Sequence, residues 1–287
     1  MTDDERDVLT KKLLEIAKRE IRIDYSSCDE KIECGKSKIG GKPDTPSDFN
    51  WPYYSGNVNG VGENKNRPLS FLAQINLNDL SEYNKDGLLP KNGVLSFFYE
   101  LETMTWGFDP ADIGSAKVFY FCDTEELCET EFPNDLKVDY ILPELQIVFS
   151  EHISLPNYEE THFDDSPNWD DYDECVSEAG YDYDDMGERI KLLGYPDVIQ
   201  DPMQEQCETV NRGYKVGSSE DYAVIPKNVI ASIKENADDW MLLFQMGTIE
   251  NDEYELMFGD CGHIYFWIKR SDMSEKNFDN TWLVLQC

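Results

Sequence analysis

Apolar residues first recur at Leu9, Leu13, Ile16, Ala17 and Ile21, a helical stripe that predicts a helix over residues 4–24. Thr2 and Glu5 stand where a capping box would start it. Further along the spacing shortens. In "PLSFLAQINLNDL", Leu69, Phe71 and Ala73 alternate with Ser70, Leu72 and Gln74, which predicts a strand buried on both faces and a short helical turn after it. "LPKNGVLSFFYE", "AKVFYF" and "LQIVFSEHISL" predict three more strands. "RIKLLGYPDVIQDPMQEQCETV" predicts a short helix stopped by a glycine, a turn through Pro196 and a helix around 202–210. "DWMLLFQMG", "GHIYFWIKRSDM" and "NTWLVLQC" close the chain as strands. Short apolar runs divided by Gly, Pro, Asn and Asp, without regular alternation with long helices, predict an α+β fold. Its sheets are expected to be mixed and largely antiparallel, with an N-terminal helix and peripheral helices.

An internal echo refines this picture. "SFLAQINL" leads to "GVLSFFYEL", and "WMLLFQMG" leads to "GHIYFWIKR". Each pair runs from a strand with a late glutamine, through a loop and a glycine, to an aromatic strand, and Gln74 to Gly93 spans nearly the same interval as Gln245 to Gly262. The expectation is two similar β-rich halves packed as one unit. The chain then divides into a helix and connection over 1–35, a first half over 36–155, an acidic insertion or loop over 156–190, and a second half over 191–287.

Composition changes what such a fold is expected to meet. At 287 residues, 40% of them hydrophobic, a sizeable core is available. Fifty-nine acidic residues against 25 basic ones give a formal charge of −34, of which −22 falls after Ser150. That field repels nucleic acid and anionic lipid, so neither is an expected partner; a basic protein is. Solubility is the plainer consequence of the same charge. No run reaches the length of a membrane span, and "MTDDERDVLTKKLL" lacks the pattern of a secretory signal, so a cytoplasmic location is expected. Eight cysteines without a CxxC are expected as reduced thiols. Residues 156–188 hold 13 acidic residues and no lysine or arginine. Here Glu159, Glu160, Asp164, Asp165, Trp169, Asp170, Asp171, Asp173, Tyr181 and Asp184 form a candidate partner patch.

The familiar chemical motifs fail one by one. "SKIGGKPDTPSDFNWP" is not a phosphate loop, because Gly40-Gly41-Lys42 runs into Pro43, which offers no amide; tight folding is the stronger reading. Three histidines and one Cys261-x-His263 pair fall short of a zinc set. An EF-hand register begun at Asp182 breaks at Met186 and Leu193. There is no GxSxG. No metal and no cofactor are expected, and the sequence leaves catalysis open. Gln74, Gln245 and Gln286, each set in an apolar strand, are expected to fix register or to line a cleft between the halves. The candidate cleft or structural polar positions are Lys38, Gly40, Gly41, Trp51, Gln74, Tyr195, Gln200, Gln245, Asp260, Gly262, His263 and Trp267.

"SKIGGKPDTPSDFNWP", "LSFLAQINLNDL", "LPKNGVLSFFYE", "LLGYPDVIQ", "WMLLFQMG", "FGDCGHIYFWIKRSDM" and "FDNTWLVLQC", in this order and spacing, resemble the YwqG-like family, also called DUF1963, over roughly residues 36–287. The resemblance implies a bacterial cytoplasmic α+β protein with two related β-rich halves and no established activity. Some relatives lie in polymorphic toxin neighbourhoods, which implies an immunity role whose partner is a cognate toxin. The family's recurrent positions correspond to Gly40, Gly41, Pro43, Trp51, Pro52 and Gln74, then to Gly194, Tyr195, Pro196, Gln200, Gln245, Gly259, Asp260, Gly262 and Trp267. None of them comes with a known catalytic role. Where many relatives place an acidic or serine-containing turn after the later glutamine, this chain has Met246-Gly247-Thr248. The leading expectation is an intracellular interaction protein; the alternative is an enzyme or small-ligand binder using the cleft between the halves.

Overall fold

Thr2 and Glu5 do cap the first helix reciprocally, but that helix, α1 (Asp3–Ile16), ends well before residue 24. Ala17 turns to an extended conformation, and Lys18–Ser27 becomes a strand, β1. The structure is a computed structural model that describes residues 1–57, 64–161, 167–181 and 188–287. After β1 come β2 (Lys38–Ile39), β3 (Asp44–Pro46), β4 (Tyr53–Asn57), β5 (Asn64–Pro68), β6 (Ser70–Asn76), β7 (Val94–Tyr99), β8 (Ala116–Phe121), β9 (Leu127–Glu129) and β10 (Leu145–Ser154). Then follow α2 (Trp169–Glu178), β11 (Lys191–Leu193), α3 (Gln204–Asn211), α4 (Ser219–Ala223) and α5 (Lys227–Ala237). The chain closes with β12 (Trp240–Met246), β13 (Ile249–Asn251), β14 (Tyr254–Leu256), β15 (His263–Lys269), α6 (Arg270–Glu275) and β16 (Trp282–Gln286).

Ten of these strands form one sheet in the order β16-β15-β12-β11-β1-β10-β2-β6-β7-β8. Every neighbouring pair in it is antiparallel. The α+β class, the antiparallel sheet and the peripheral helices therefore hold. The sheet is not flat. Phe97 on β7 stacks 4.4 Å from Phe244 on β12 and 5.3 Å from Phe266 on β15, although these strands lie on opposite arms. The two arms fold towards one another and enclose the main core, to which the centre adds Ile21 and Ile23. The other face of the β6–β8 arm carries Phe71 and Phe98, which Tyr54, Phe49 and Trp51 cover. The matching face of the β12–β16 arm carries Leu242, Tyr265, Trp267 and Val284, and α3 covers it with Cys207 and Val210. Leu9 and Leu13 of α1 meet Tyr172, Cys175 and Val176 of α2 in a third cluster.

Three expectations need correction. The helical stripe of residues 4–24 breaks because Ile21 and Ile23 serve the core with a strand's period of two. β1 pairs with β10 over its whole length and with β11 on the other side, so residues 18–27 form the centre of the sheet rather than a connection. Lys191–Leu193 is likewise a strand, because its backbone lies between β1 and β12. Within the acidic segment over 156–190, residues 169–178 are a helix packed on α1.

Candidate functional site

Two turns of similar sequence flank the sheet centre: Lys38-Ile-Gly-Gly-Lys-Pro-Asp44 and Lys191-Leu-Leu-Gly-Tyr-Pro-Asp197. In each, two consecutive residues take the left-handed conformation, Gly40 and Gly41 (φ 61° and 66°) in one, Leu193 and Gly194 (φ 61° and 77°) in the other. The turn carries its aspartate back over the strand it has just left. Lys38 Nζ meets Glu144 at 3.0 Å and Asp44 at 3.8 Å. The Gln74 amide donates to Asp44 Oδ2 at 2.6 Å and to Lys36 O at 2.8 Å, and its carbonyl accepts from Asp44 N at 2.9 Å. In the second turn Lys191 Nζ meets Glu20 at 2.8 Å and Asp197 at 2.9 Å. Gln245 donates to Asp197 Oδ2 at 2.7 Å and accepts from Asp197 N at 2.9 Å. Arg189 and the Tyr181 hydroxyl also reach Asp197, at 3.1 and 2.6 Å. Burial pushes the Asp197 carboxyl up, but Lys191, Arg189 and Tyr181 outweigh it and hold the group well below the usual carboxylate range.

These networks are inward and satisfied. Gln74 and Gln245 are fully buried in separate networks, and neither lines the molecule's large cleft. Gly40 admits no side chain, since a Cβ there would lie 2.0 Å from Pro143 O. Trp51 donates its indole N–H to Leu69 O at 2.9 Å. His263 and Trp267 are buried in β15, and a Cβ on Gly262 would strike Gln286 O. Asp260 is exposed. Among the described residues, no group of three or more His, Cys, Asp or Glu is placed to hold a metal ion, and all eight cysteines are free.

Two of the expected positions, Tyr195 and Gln200, do border a cavity: an open cleft of about 1360 Å³ on the second arm. α3, α4 and α5 wall it on one side, and the segment after Tyr195, the start of β1 and Arg270 on the other. Gln286, at the end of β16, fixes the rim by accepting from Ile199 N and Gln200 N at 3.2 and 3.1 Å and donating to Asp201 O at 2.8 Å. Lys18, the first residue of β1, lays its ammonium 3.5 Å from the centre of the Tyr195 ring. Burial and the charge of Arg270 push Lys18 down to about 8, against the pull of Glu160 and Asp238. Glu160 accepts from Gln204 Nε2 at 2.8 Å and from Asn157 N at 3.1 Å, yet burial raises its carboxyl. Trp240 forms part of the floor, its N–H donated to Glu208 at 2.9 Å. Cations, carboxylates, amides and an aromatic wall thus converge on one concavity, an arrangement suited to a polar ligand.

Sequence reasoning missed Lys18, Gln204, Trp240 and Arg270. Lys18 sits inside the stripe read as helix. One signal was present: the interval from Asp197 to Gln245 is much longer than that from Asp44 to Gln74, and the longer one holds the helices that wall the cleft.

The acidic patch is divided by the fold. Trp169 is 54% exposed and stacks on Tyr158 at 6.0 Å, beside exposed Glu159, Asp170 and Asp173. Asp171 binds the N-terminal ammonium at 3.2 Å, Glu160 faces the cleft, and Tyr181 belongs to the Asp197 network. Asp164, Asp165 and Asp184 lie outside the described residues. No helix among the described residues is long and apolar enough to cross a membrane. A comparison with known families matches residues 37–287 to "Domain of unknown function (DUF1963)". None of the curated proteins matches the chain.

Proposed function

The chain belongs to the DUF1963 family, and from that premise we propose that it is a binding protein whose second-arm cleft receives a small polar ligand. The observation that carries this reading is the cleft itself: about 1360 Å³, with Lys18, Glu160, Gln204, Trp240 and Arg270 converging on it. The buried networks around Gln74 and Gln245 hold the fold; the cleft is where polar groups face open space.

The two arms are read as copies of one unit. Supporting this are the paired K-x-x-G-x-P-D turns, a glutamine bonded to each aspartate, and a register shift just before each glutamine, between Phe71 and Ala73 and between Leu242 and Phe244. On this reading the cleft is an addition to the second copy. The protein works in a reducing compartment, the cytoplasm, where its free thiols persist.

Ligand binding stabilises a folded protein by mass action, by about 2.7 kcal/mol at a hundred times Kd. A thermal-shift screen of metabolite fractions is therefore expected to find stabilising fractions. Glu205→Trp, on the exposed cleft side of α3, should abolish their effect. A shift that survives this substitution places the ligand elsewhere, and no shift from any fraction ends the proposal.

A second reading, an interaction module for a basic protein such as a cognate toxin, is favoured by exposed Trp169 among acidic neighbours. If it holds, Trp169→Ala weakens capture of that partner by about 2 kcal/mol and moderate salt does not abolish binding. Capture that disappears with salt and ignores Trp169 is nonspecific attraction.

A further inference from the structure

Acidic residues outnumber basic ones more than two to one in this chain, so an arginine without a carboxylate is informative. Arg6, Arg19, Arg22, Arg67, Arg189 and Arg212 each hold one. Arg270 is the remaining arginine, and among the described residues no carboxylate lies within ion-pair reach of it. The same is true of Lys18, whose neighbour is the Tyr195 ring. Both line the cleft, and they are close enough for Arg270 to depress the lysine's proton affinity. Lys18 is half-buried and the exposed Arg270 lies beside it, so an anion that joins the two relieves their repulsion.

We infer that Lys18 and Arg270 seat the oxyanion, a carboxylate or a phosphate, of a ligand whose remaining body is neutral or carries an amine. The rest of the lining sets the charge of that body. Glu160 and Asp238 act on Lys18 itself, and Glu159, Asp201 and Glu205 line the same cleft; against one further cation there, Lys234, these five carboxylates would repel a polyanion, while an amine finds acceptors among them. Tyr195 supplies apolar ring surface for the body, above the buried floor to which Trp240 belongs. Arg270 brings a planar fork for two oxygens, and Lys18 a point charge. This inference rests on the cleft being the binding site and adds the chemistry of its occupant.

Lys18 also predicts a pH dependence. The groups facing it are Arg270, Glu160 and Asp238, with the Tyr195 ring above. Its proton leaves near pH 8, so oxyanion binding is full below that pH and weakens above it.

The probes are phosphoethanolamine and β-alanine, which join an oxyanion to an amine, with inorganic phosphate and acetate as their amine-free counterparts. Saturation-transfer NMR on the full chain reads their binding. Phosphoethanolamine or β-alanine should bind, more tightly than its amine-free counterpart. The two probes also separate a phosphate-bearing ligand from a carboxylate-bearing one. Lys18→Met and Arg270→Met should each weaken binding about tenfold or more, as expected for a hydrogen bond to a charged group. Lys18→Arg should restore binding and remove the loss above pH 8. Equal binding by the wild type and both methionine variants overturns the inference, as does failure of all four probes to bind. If metabolite fractions still stabilise the protein through the cleft while these variants change nothing, only the oxyanion seat is wrong. If no fraction does, the binding reading itself falls.

Discussion

At the residue scale, the informative groups are the ones sealed in. Lys191 is fully buried between Glu20 and Asp197, so Lys191→Ala leaves two buried carboxylates short of their cation. Such half-broken pairs cost about 3–5 kcal/mol, and urea unfolding should show a loss of that size. Asp197 makes a second prediction. Its folded pKa lies below the unfolded value of about 3.9, so its contribution is whole above pH 4 and fades as the pH falls further. Acid titration of Asp197→Asn should show that this part of the acid sensitivity is gone; an unchanged acid limb contradicts the assignment. The buried glutamines were legible, because an amide inside an apolar strand must find partners. Their partner aspartates were not, since each lies far upstream of its glutamine, with whole elements between them and nothing local to join them. The cleft cations were illegible for a related reason. An unpaired charge is defined by what does not surround it, which is a tertiary property.

At the scale of elements, strands with strong apolar runs could be read directly. β6, β7, β8, β10, β12, β15 and β16 all lie where the pattern placed them. The short or polar ones could not. β1, "KREIRIDYSS", offers only Ile21, Ile23 and Tyr25 as an alternating face, and β11 is a single short run, "KLL". Both are strands because the sheet centre supplies partners on both sides. The turn after β2 makes this interdependence testable. Gly40→Ala must place a Cβ 2.0 Å from Pro143 O as well as hold a φ of 61°, whereas Gly35→Ala, at φ 79°, meets nothing within 4 Å. The first should cost several kcal/mol and the second about 1 kcal/mol, compared by chemical denaturation. Similar losses would show that the chain does not approach Pro143 as described.

At the scale of the molecule, one sheet folds on itself so that its arms share a core. Phe97 joins those arms through Phe244 and Phe266, and Phe97→Ala should cost about 3–5 kcal/mol in a single cooperative transition. Two separated transitions would mean that the arms fold independently. The helices over the outer face of the second arm make the asymmetry, and with it the cleft. Six tryptophans report on these regions separately, Trp240 on the cleft floor and Trp169 on the acidic surface. The most direct measurement is therefore fluorine NMR of protein labelled with 5-fluorotryptophan, titrated with the small-molecule extract of the cells that make it. The Trp240 signal is expected to move while that of Trp169 stays. A Trp240 signal that no fraction moves would contradict binding in the cleft.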